Sequence, residues 1–488
     1  MYGTEKSSFA ILPSYLHMLR RTTPGSFTAV DIDRVTSQFK NIFFALGPAI
    51  QGFRQHARPV IVVDGTFLTG KYKGILFVAV THDGNNQVFP LAAGIGHIEN
   101  EETWTWFLSQ LERAYGSPNP LLIVSDGAKS ISNAIKTVFP RAKHGLCVVH
   151  MMRNMKVYGR EAVNLFNKAA FAFDGNVCST LTKKLQKIHP GAYENIMKIG
   201  MKKWARSACD VRRYHYMTSN AAETFNARII WARTLPVTSV LEILRSISEK
   251  WFYKRNKVAM ERDHELTKVA EKLLGEAIEK GAKLRAEPIG SNKFNVKDGF
   301  DNHLVDMSLK ECSCGEFHIM AFPCGHAAVA ARKMGTSLNA YVDDYYRMFT
   351  LREMWGGVVL PLPNPSTWDV PEAVSLIKCI PPDNPKQAGR PRTSRRTAGL
   401  EGASSSRCKK QVCKRCGSTE HNRARCKVYM DLLDAEQAEP DEPDHLTDSS
   451  VKVRKCAHRK CSICKSIDHL KNKCPYKPPP ESQLFDCE

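Results

Sequence analysis

Long apolar runs are missing from this sequence: no stretch of about 18 apolar residues occurs, so we expect no membrane-spanning helix. The opening residues lack a basic start followed by an apolar core, and we therefore expect no signal peptide. Acidic residues are scarce, with 49 Asp and Glu against 70 Lys and Arg. The resulting net charge of +21 disfavours a basic partner and favours a polyanion. We expect an intracellular protein whose first candidate partner is nucleic acid.

Sixteen cysteines are present, and many lie in C-x-C or C-x2-C pairs that a histidine follows. Because a reducing compartment keeps thiols free, we favour metal binding over disulfides. The 488 residues, 43% of them hydrophobic, permit at least one sizeable core. We therefore expect two or three domains joined by linkers.

The pattern of apolar residues predicts an α/β fold in residues 59–285, preceded by a helical segment in residues 1–58. Runs rich in β-branched and aromatic residues predict strands at PVIVVD, ILFVAVTH, QVFPLAAG and LLIVSD. Helical spacing predicts a crossover helix from Glu101 to Tyr115, and helices dominate the second half of the region. Such alternation indicates a sheet of mixed pairing.

Two aspartates stand where predicted strands end. Asp64 follows VIVV, and Asp126 follows LLIVS. Ligands collect at the C-terminal strand ends of open α/β sheets, and a pair of carboxylates there suits Mg²⁺. Glu223, on the predicted helix of MTSNAAETFNARI, supplies a third carboxylate. Since a strand-end Asp-Gly is also an ordinary turn former, spacing alone leaves both interpretations open.

Several segments together resemble the transposase domain of Mutator-like elements, from about Phe9 to Asn226. They are LPSYLHML, PVIVVDGTFLTGKYKG, HDGNNQVFPLAAGI, LLIVSDG, HGLCVVHMMRN and TSNAAETFNARI. The resemblance implies an RNase H-like fold with a helical insertion, and a catalytic triad of Asp64, Asp126 and Glu223. It also implies two Mg²⁺ ions at these carboxylates, which suits transfer of a DNA phosphodiester.

Cys147 and His150 match the C-x2-H that this family places between its second aspartate and its glutamate. We favour a buried supporting pair over zinc ligation, because zinc would need two further ligands that the sequence does not identify. Only 63 residues precede Asp64, so we expect the family's end-recognition region to be missing. The absence of that region fits two kinds of protein. One is a truncated product of a transposable element, and the other is a host-recruited descendant similar to the far-red-response transcription factors.

A cysteine and histidine cluster lies in residues 290–345. A C-x-C pair and a C-x-H pair are separated by nine residues, and four such donors suit tetrahedral zinc. The cluster resembles the SWIM zinc finger, and its ligands are Cys312, Cys314, Cys324 and His326. We interpret His318, in the intervening loop, as a solvated side chain.

The spacing C-x2-C-x4-H-x4-C occurs twice in the C-terminal part, in residues 408–430 and 456–476. The two ligand sets are Cys413, Cys416, His421 and Cys426, and Cys461, Cys464, His469 and Cys474. Both resemble the CCHC zinc knuckle, which folds around its metal and contacts single-stranded nucleic acid. A role in protein contact is the alternative. With the SWIM-like site, the chain is expected to bind three structural zinc ions.

The segments around the knuckles have few large apolar residues, so we expect a largely disordered tail. Residues 380–407 form a basic linker in which Arg390 and Arg392 resemble an AT-hook that enters a DNA minor groove. A solvated linker with nuclear-import character is the alternative, and we expect a nuclear protein. Residues 431–455 form an acidic linker.

Two classes of function follow from these patterns. One is a zinc- and DNA-binding transposase-like protein whose core cleaves and transfers DNA strands. The other is a domesticated, nonenzymatic regulator that binds nucleic acid through its zinc modules. An intact triad favours the first and the short N-terminus favours the second, so enzymatic activity stays open. The sequence is compatible with a homo-oligomer without specifying one.

Overall fold

The computed structural model describes residues 4–155 and 159–383. Both CCHC sets, the acidic linker and the AT-hook-like Arg390 and Arg392 lie outside the described residues. No helix of the described part is both long enough and apolar enough to cross a membrane.

A seven-stranded mixed sheet is the centre of the fold. Its strands are β1 (Phe27–Ile32), β2 (Phe39–Ala45), β3 (Val60–Leu68), β4 (Gly74–His82), β5 (Val88–Gly96), β6 (Leu122–Ser125) and β7 (Lys143–Leu146). Their order is β1-β2-β5-β4-β3-β6-β7. The pairs β1–β2, β2–β5, β5–β4 and β4–β3 are antiparallel, whereas the pairs β3–β6 and β6–β7 are parallel. The predicted α/β fold with a mixed sheet is confirmed.

Strands β1 and β2 differ from the helical structure that the sequence predicts for residues 1–58. Helices occupy only its two ends, as α1 (Ser7–Ala10), α2 (Leu12–Thr22) and α3 (Gly47–His56). Strand β2, FKNIFFA, is almost wholly buried and pairs with β5. A strand buried on both faces has a continuous apolar run, which periodicity cannot distinguish from a buried helix.

Two crossover helices connect the last strands: α4 (Glu101–Tyr115) and α5 (Lys129–Val138). Helix α4 begins with a capping box, in which the Asn100 side chain accepts from the Thr103 backbone N–H and the Thr103 hydroxyl oxygen accepts from the Asn100 backbone N–H. It ends at Gly116, whose φ of 75° suits glycine. Trp104 and Phe107 are fully buried against the sheet. The predicted bounds of this helix are confirmed.

A mostly helical region follows β7, as the sequence predicts. Its helices are α6 (Val148–Asn154), α7 (Arg160–Phe171), α8 (Gly175–Ile188), α9 (Pro190–Ile199), α10 (Met201–Trp204), α11 (Asn220–Arg228), α12 (Val237–Glu261) and α13 (Lys268–Ala282). Helices α7 to α10 enclose a small core of their own, in which the Phe166 and Trp204 rings lie 5.4 Å apart. Helix α11 instead packs its apolar residues on the main sheet.

The cysteine and histidine cluster belongs to a second, smaller sheet. Its strands are β8 (Arg285–Gly290), β9 (Lys293–Asp298), β10 (Asp301–Asp306) and β11 (Glu311–Cys312), followed by α14 (Glu316–Met320), α15 (Gly325–Met334), α16 (Met348–Trp355) and α17 (Glu372–Ser375). Helix α15 packs against α13 so closely that a Cβ at Gly281 would meet the Gly325 carbonyl oxygen at 2.7 Å.

A buried arginine joins the small sheet to the large one. Arg58, between α3 and β3, is only 4% exposed. Its guanidinium lies 3.9 Å from the ring centre of Tyr214 and 4.1 Å from that of Tyr345, distances at which a desolvated cation attracts aromatic faces. It also donates to the Met320 carbonyl oxygen at 2.9 Å.

Candidate functional site

The two aspartates lie on neighbouring parallel strands. Strand β3 pairs with β6 in a register that sets Val62 beside Val124, and continuing that offset sets Asp64 beside Asp126. The expectation that Asp64 ends its strand is wrong, because β3 continues to Leu68 in antiparallel pairing with β4. The parallel pairing with β6 ends at Val62, so Asp64 lies just beyond it while remaining in the antiparallel pairing with β4.

Asp126 also forms a turn. Its Oδ1 accepts from the Ala128 backbone at 2.9 Å, and Gly127 has a φ of 85° that favours glycine. The turn-former interpretation and the ligand interpretation are therefore compatible, because a carboxylate that uses one oxygen in a turn retains acceptor capacity.

Helix α11 brings Glu223 toward these strands through a neighbouring residue. Asn226 donates from Nδ2 to Asp64 Oδ2 at 2.8 Å, and Asn226 is only 4% exposed. The Asn226 Oδ1 atom is buried without a hydrogen-bond partner among the described residues. Glu223 precedes Asn226 by three residues, so the two share one face of the helix. The predicted third carboxylate thus lies on the face that contacts Asp64.

The electrostatics of Asp64 reflect these neighbours. Burial raises the pKa of its carboxyl group to about 6, and the negative charges of Glu223 and Asp126 act in the same direction. The hydrogen bond from Asn226 opposes the rise by favouring the ionised form. A cation at this position would relieve the repulsion and restore the ionised carboxylate.

Cys147 and His150 lie beside Glu223. One ligand atom from each of these three residues lies within 4.8 Å of the other two. The Ser219 hydroxyl donates to Glu223 Oε1 at 3.0 Å and lies 3.3 Å from His150 Nδ1. Three donors fall one short of a tetrahedral protein site. The Ser219 hydroxyl holds one oxygen of Glu223, and His150 Nδ1 lies 3.8 Å from the same oxygen. The supporting role of Cys147 and His150 stays a prediction.

The cysteine and histidine of this pair also perturb each other. Burial raises the pKa of the Cys147 thiol, but hydrogen bonds from His150 and Ser219 outweigh it and lower the pKa to about 7. The hydrogen bond with Cys147 raises the pKa of His150 despite partial burial. Each partner thus favours the charged form of the other.

Two residues near the site were missed by the sequence interpretation. Glu99, between β5 and α4, has a pKa raised by burial, opposed by a hydrogen bond from Trp104 and increased further by the charge of Asp126. Arg233, after α11, donates to the Asn226 carbonyl oxygen at 3.3 Å, and its charge interacts with Asp64. Glu99 lies in the segment ENEETW and Arg233 ends the segment NARIIWAR. Neither residue stands at the end of a predicted strand, which is where the sequence interpretation looked for site residues.

The four predicted zinc ligands of the small sheet converge. Cys312, Cys314, Cys324 and His326 each offer a ligand atom within 4.8 Å of the others. His326 Nδ1 lies 3.6 Å from Cys312 Sγ and 3.9 Å from Cys324 Sγ. Cys324 also caps α15, since its Sγ accepts from the Ala327 backbone at 3.5 Å.

The cysteines and the histidine of this cluster shift one another's pKa values: that of Cys314 falls, whereas those of Cys324 and His326 rise. Hydrogen bonds from Cys312 and Cys324 hold the pKa of Cys314 far below its usual range. Burial lowers the pKa of His326, but hydrogen bonds with Cys312 and Cys314 outweigh it and raise the pKa to about 10. Three thiols and one imidazole, crowded and largely buried, are the donor set that Zn²⁺ prefers. The residues therefore fit a zinc ion.

Two regions of the chain match known families. Residues 60–154 match the MULE transposase domain, and residues 298–335 match the SWIM zinc finger. The resemblances predicted for these two regions are confirmed. The first match includes Asp64, Asp126, Cys147 and His150 but not Glu223, and the second includes all four zinc ligands.

Similar proteins come from plants and bacteria. The chain is 26% identical to Protein FAR1-RELATED SEQUENCE 4 of Arabidopsis thaliana over 29% of this chain and 19% of the relative. It is 23% identical to Protein FAR-RED IMPAIRED RESPONSE 1 of the same organism, over 32% of this chain and 18% of the relative. It is 32% identical to the transposase for insertion sequence element IS256 in transposon Tn4001 of Staphylococcus aureus, over 16% and 19%. The chain thus spans about a fifth of the length of the curated relatives that it matches.

Proposed function

We propose that this chain is a transposase-derived, zinc- and DNA-binding protein whose core cleaves DNA phosphodiester bonds and transfers the resulting ends. One observation carries the proposal: the hydrogen bond from Asn226 to Asp64 holds the helix of Glu223 against β3, whose parallel neighbour β6 leads to Asp126. The match of residues 60–154 to the MULE transposase domain supports it.

We propose further that the large sheet contains an RNase H-like core, in β5, β4, β3, β6 and β7. Three antiparallel strands followed by two parallel strands with crossover helices support this assignment. Strands β1 and β2 then extend that core at the β5 edge.

Asp64, Asp126 and Glu223 would hold two Mg²⁺ ions. Their oxygen donors are of the type that Mg²⁺ prefers, and like charge around the buried Asp64 supports a cation there. Such ions stabilise the attacking and leaving oxygens of a phosphodiester. The protein's own contribution is positional: Asn226 orients the Asp64 carboxylate, and Ser219 orients that of Glu223. Buried partners of this kind keep ligands in place before the reaction.

The zinc modules and the positive net charge would bind the nucleic acid on which this core acts. The SWIM zinc finger is the first zinc site, and the two CCHC sets, outside the described residues, would be the second and third. A net charge of +21 supports binding to phosphate backbones. Arg390 and Arg392 would contact the minor groove, the knuckles would contact single strands, and the protein would act in the nucleus.

A second function has its own support. Several plant relatives carry the name FAR1-RELATED SEQUENCE, and this group of matches is compatible with a domesticated, nonenzymatic regulator. In that case the core would serve as a scaffold while the zinc modules bind nucleic acid.

A metal-dependent cleavage assay separates the two. The full chain is incubated with Mg²⁺ and either supercoiled plasmid or candidate terminal-repeat duplexes, beside the Asp64→Asn and Glu223→Gln variants. The transposase proposal requires nicking that both substitutions abolish while an exposed control, Asp369→Asn, retains it; the control residue is 83% exposed at its side chain. DNA binding without any metal-dependent nicking would favour the regulator.

A further inference from the structure

The zinc-binding imidazole has one nitrogen that the zinc cluster does not use. His326 directs Nδ1 toward the sulfur atoms of Cys312 and Cys324. Its Nε2, on the opposite side of the ring, is buried and has no hydrogen-bond partner among the described residues. A carboxylate lies close to it, with Asp298 Oδ2 3.5 Å from Nε2.

We propose that Asp298 is a positioning residue for the zinc site, which accepts the Nε2–H of His326 and thereby holds Nδ1 as the ligand. An imidazole that binds a metal through one nitrogen carries its proton on the other. A carboxylate beside that proton fixes the tautomer, orients the ring and increases the basicity of the ligating nitrogen. Shortening the contact of 3.5 Å by a few tenths of an ångström would make an ordinary charge-assisted hydrogen bond.

The local fold explains why Asp298 is available. It is the last residue of β9, and it pairs across the hairpin with Asp301. The turn between them contains Gly299, whose φ of 62° favours glycine and permits this two-residue connection. His326 is the second residue of α15, so the hairpin end and the helix start face each other at the zinc cluster.

A second histidine fixes the plane of the ring. The His303 ring stacks on that of His326, with centroids 4.0 Å apart and planes at 29°. His303 Nδ1 is itself 3.3 Å from the Ser313 hydroxyl oxygen. Stacking restricts rotation of the His326 ring, which leaves its Nε2 edge pointing at Asp298. The sequence interpretation did not consider Asp298, since an exposed acidic hairpin resembles any solvated turn.

The test measures zinc affinity in the full chain by competition with a chromophoric chelator. Cys416→Ser and Cys464→Ser in the background remove one ligand from each CCHC set, so the bound zinc reports the SWIM-type cluster. We expect Asp298→Asn to weaken zinc binding about 10- to 100-fold, the usual effect of losing such a partner. Asp301→Asn removes the same charge from the other side of the hairpin and is expected to leave the affinity unchanged.

A double-mutant cycle then shows whether Asp298 acts through the imidazole. His326→Cys retains a fourth zinc ligand but removes Nε2, so Asp298→Asn is expected to have no effect in that background. An equal loss in both backgrounds, as misfolding would cause, overturns the proposal, and so does no loss in the His326 background. The proposal is also overturned if the Cys416→Ser, Cys464→Ser chain binds two zinc ions and Asp298→Asn removes one of them. In that case Asp298, His303 and His326 would form a metal site of their own.

Discussion

The Asn226 side chain donates to Asp64 at 2.8 Å, across 162 residues of sequence, and this single hydrogen bond links α11 to the acidic end of the large sheet. A hydrogen bond to a charged group is stronger than one between neutral groups, and a buried charge left without its partner is costly. The position of Glu223 therefore depends on a residue that is not itself acidic.

Asn226→Ala should destabilise the fold by ~1–3 kcal/mol, because it leaves the half-buried Asp64 carboxylate with one donor fewer. Chemical denaturation followed by circular dichroism measures the free energy of unfolding. Asn133→Ala is the matched control: it removes a 2.7 Å hydrogen bond to Glu101 that is solvent-exposed, and the expected loss is small. Equal losses for the two variants would contradict the special role of Asn226.

Asp64→Asn should stabilise the metal-free protein at neutral pH. The folded-state pKa of Asp64 is raised from 3.8 to about 6, so folding disfavours the charged form, and the cost grows as the pH rises between those values. The substitution should recover up to ~3 kcal/mol above pH 6, and the difference from wild type should vanish below the unfolded pKa of 3.8. Denaturant unfolding without added divalent cations, repeated across this pH range, measures the difference.

Asp33→Asn is a control for this pH series, because its expected effect on the free energy of unfolding has the opposite sign. Hydrogen bonds from the Thr36 backbone and Lys40 hold the pKa of Asp33 far below its usual range, so its contribution is present at neutral pH and lost as the pH falls. Asp33→Asn should therefore lower stability where Asp64→Asn increases it. A gain for Asp64→Asn that increased toward acid pH would show that desolvation does not dominate at Asp64.

Ser219→Ala should reduce Mg²⁺-dependent cleavage about 10-fold or more by releasing Glu223, as loss of a residue that orients a metal ligand usually does. The hydroxyl donates to Glu223 Oε1 at 3.0 Å, and Ser219→Thr retains that donor. Cleavage rates across a Mg²⁺ titration should show a higher requirement for the ion in the alanine variant, and near-normal behaviour in the threonine variant. Indistinguishable titrations would mean that Ser219 does not position Glu223.

Cys324→Ser should cost one zinc ion and shorten α15 at its start. Cys324 is both a ligand and the residue whose sulfur caps this helix. Elemental analysis of the metal-replete full chain is expected to find three zinc ions, and two in the variant. Cys379→Ser, at a buried thiol outside the cluster, should leave the count unchanged. One zinc or none in the parent chain would contradict the predicted ligand sets.

The C-terminal part, outside the described residues, should bind single-stranded oligonucleotides with little sequence preference. The segment from Pro381 to Glu488 carries many Lys and Arg and few aromatic residues for base stacking, so its affinity should fall steeply with salt. Chelation should weaken binding by unfolding the CCHC sets. Fluorescence anisotropy at low salt measures this, and a zinc-loaded segment that binds neither DNA nor RNA would favour a role in protein contact.

Local signals predicted helix α4 and the four ligands of the SWIM-type cluster. Helix α4 has its own caps and a clear apolar face, and the four ligands from Cys312 to His326 are fixed by short-range spacing. Such features need no knowledge of distant contacts. The mixed pairing of the large sheet was predicted from the order of strand and helix segments along the chain.

The features that the sequence did not predict depend on contacts between residues far apart in the chain. Strands β1 and β2 were missed because β2 is strand-like only through its pairing with β5. Glu99 and Arg233 were missed because only the folded chain brings their charges to Asp126 and Asp64. Family resemblance, rather than spacing, selected Glu223, and no local pattern indicated that Asn226 would carry its contact with Asp64.

The buried Arg58 makes the stability of the large sheet a function of free zinc. Its guanidinium is held by a carbonyl oxygen of α14 and by Tyr345 as well as by Tyr214, so melting of the small sheet would leave a cation stranded in the core of the large one. A ligand that binds only the folded state stabilises it by mass action, by about 2.7 kcal/mol at 100 times its dissociation constant. Zinc starvation would therefore lower the melting temperature of the large sheet as well, and the two sheets would unfold as one cooperative unit.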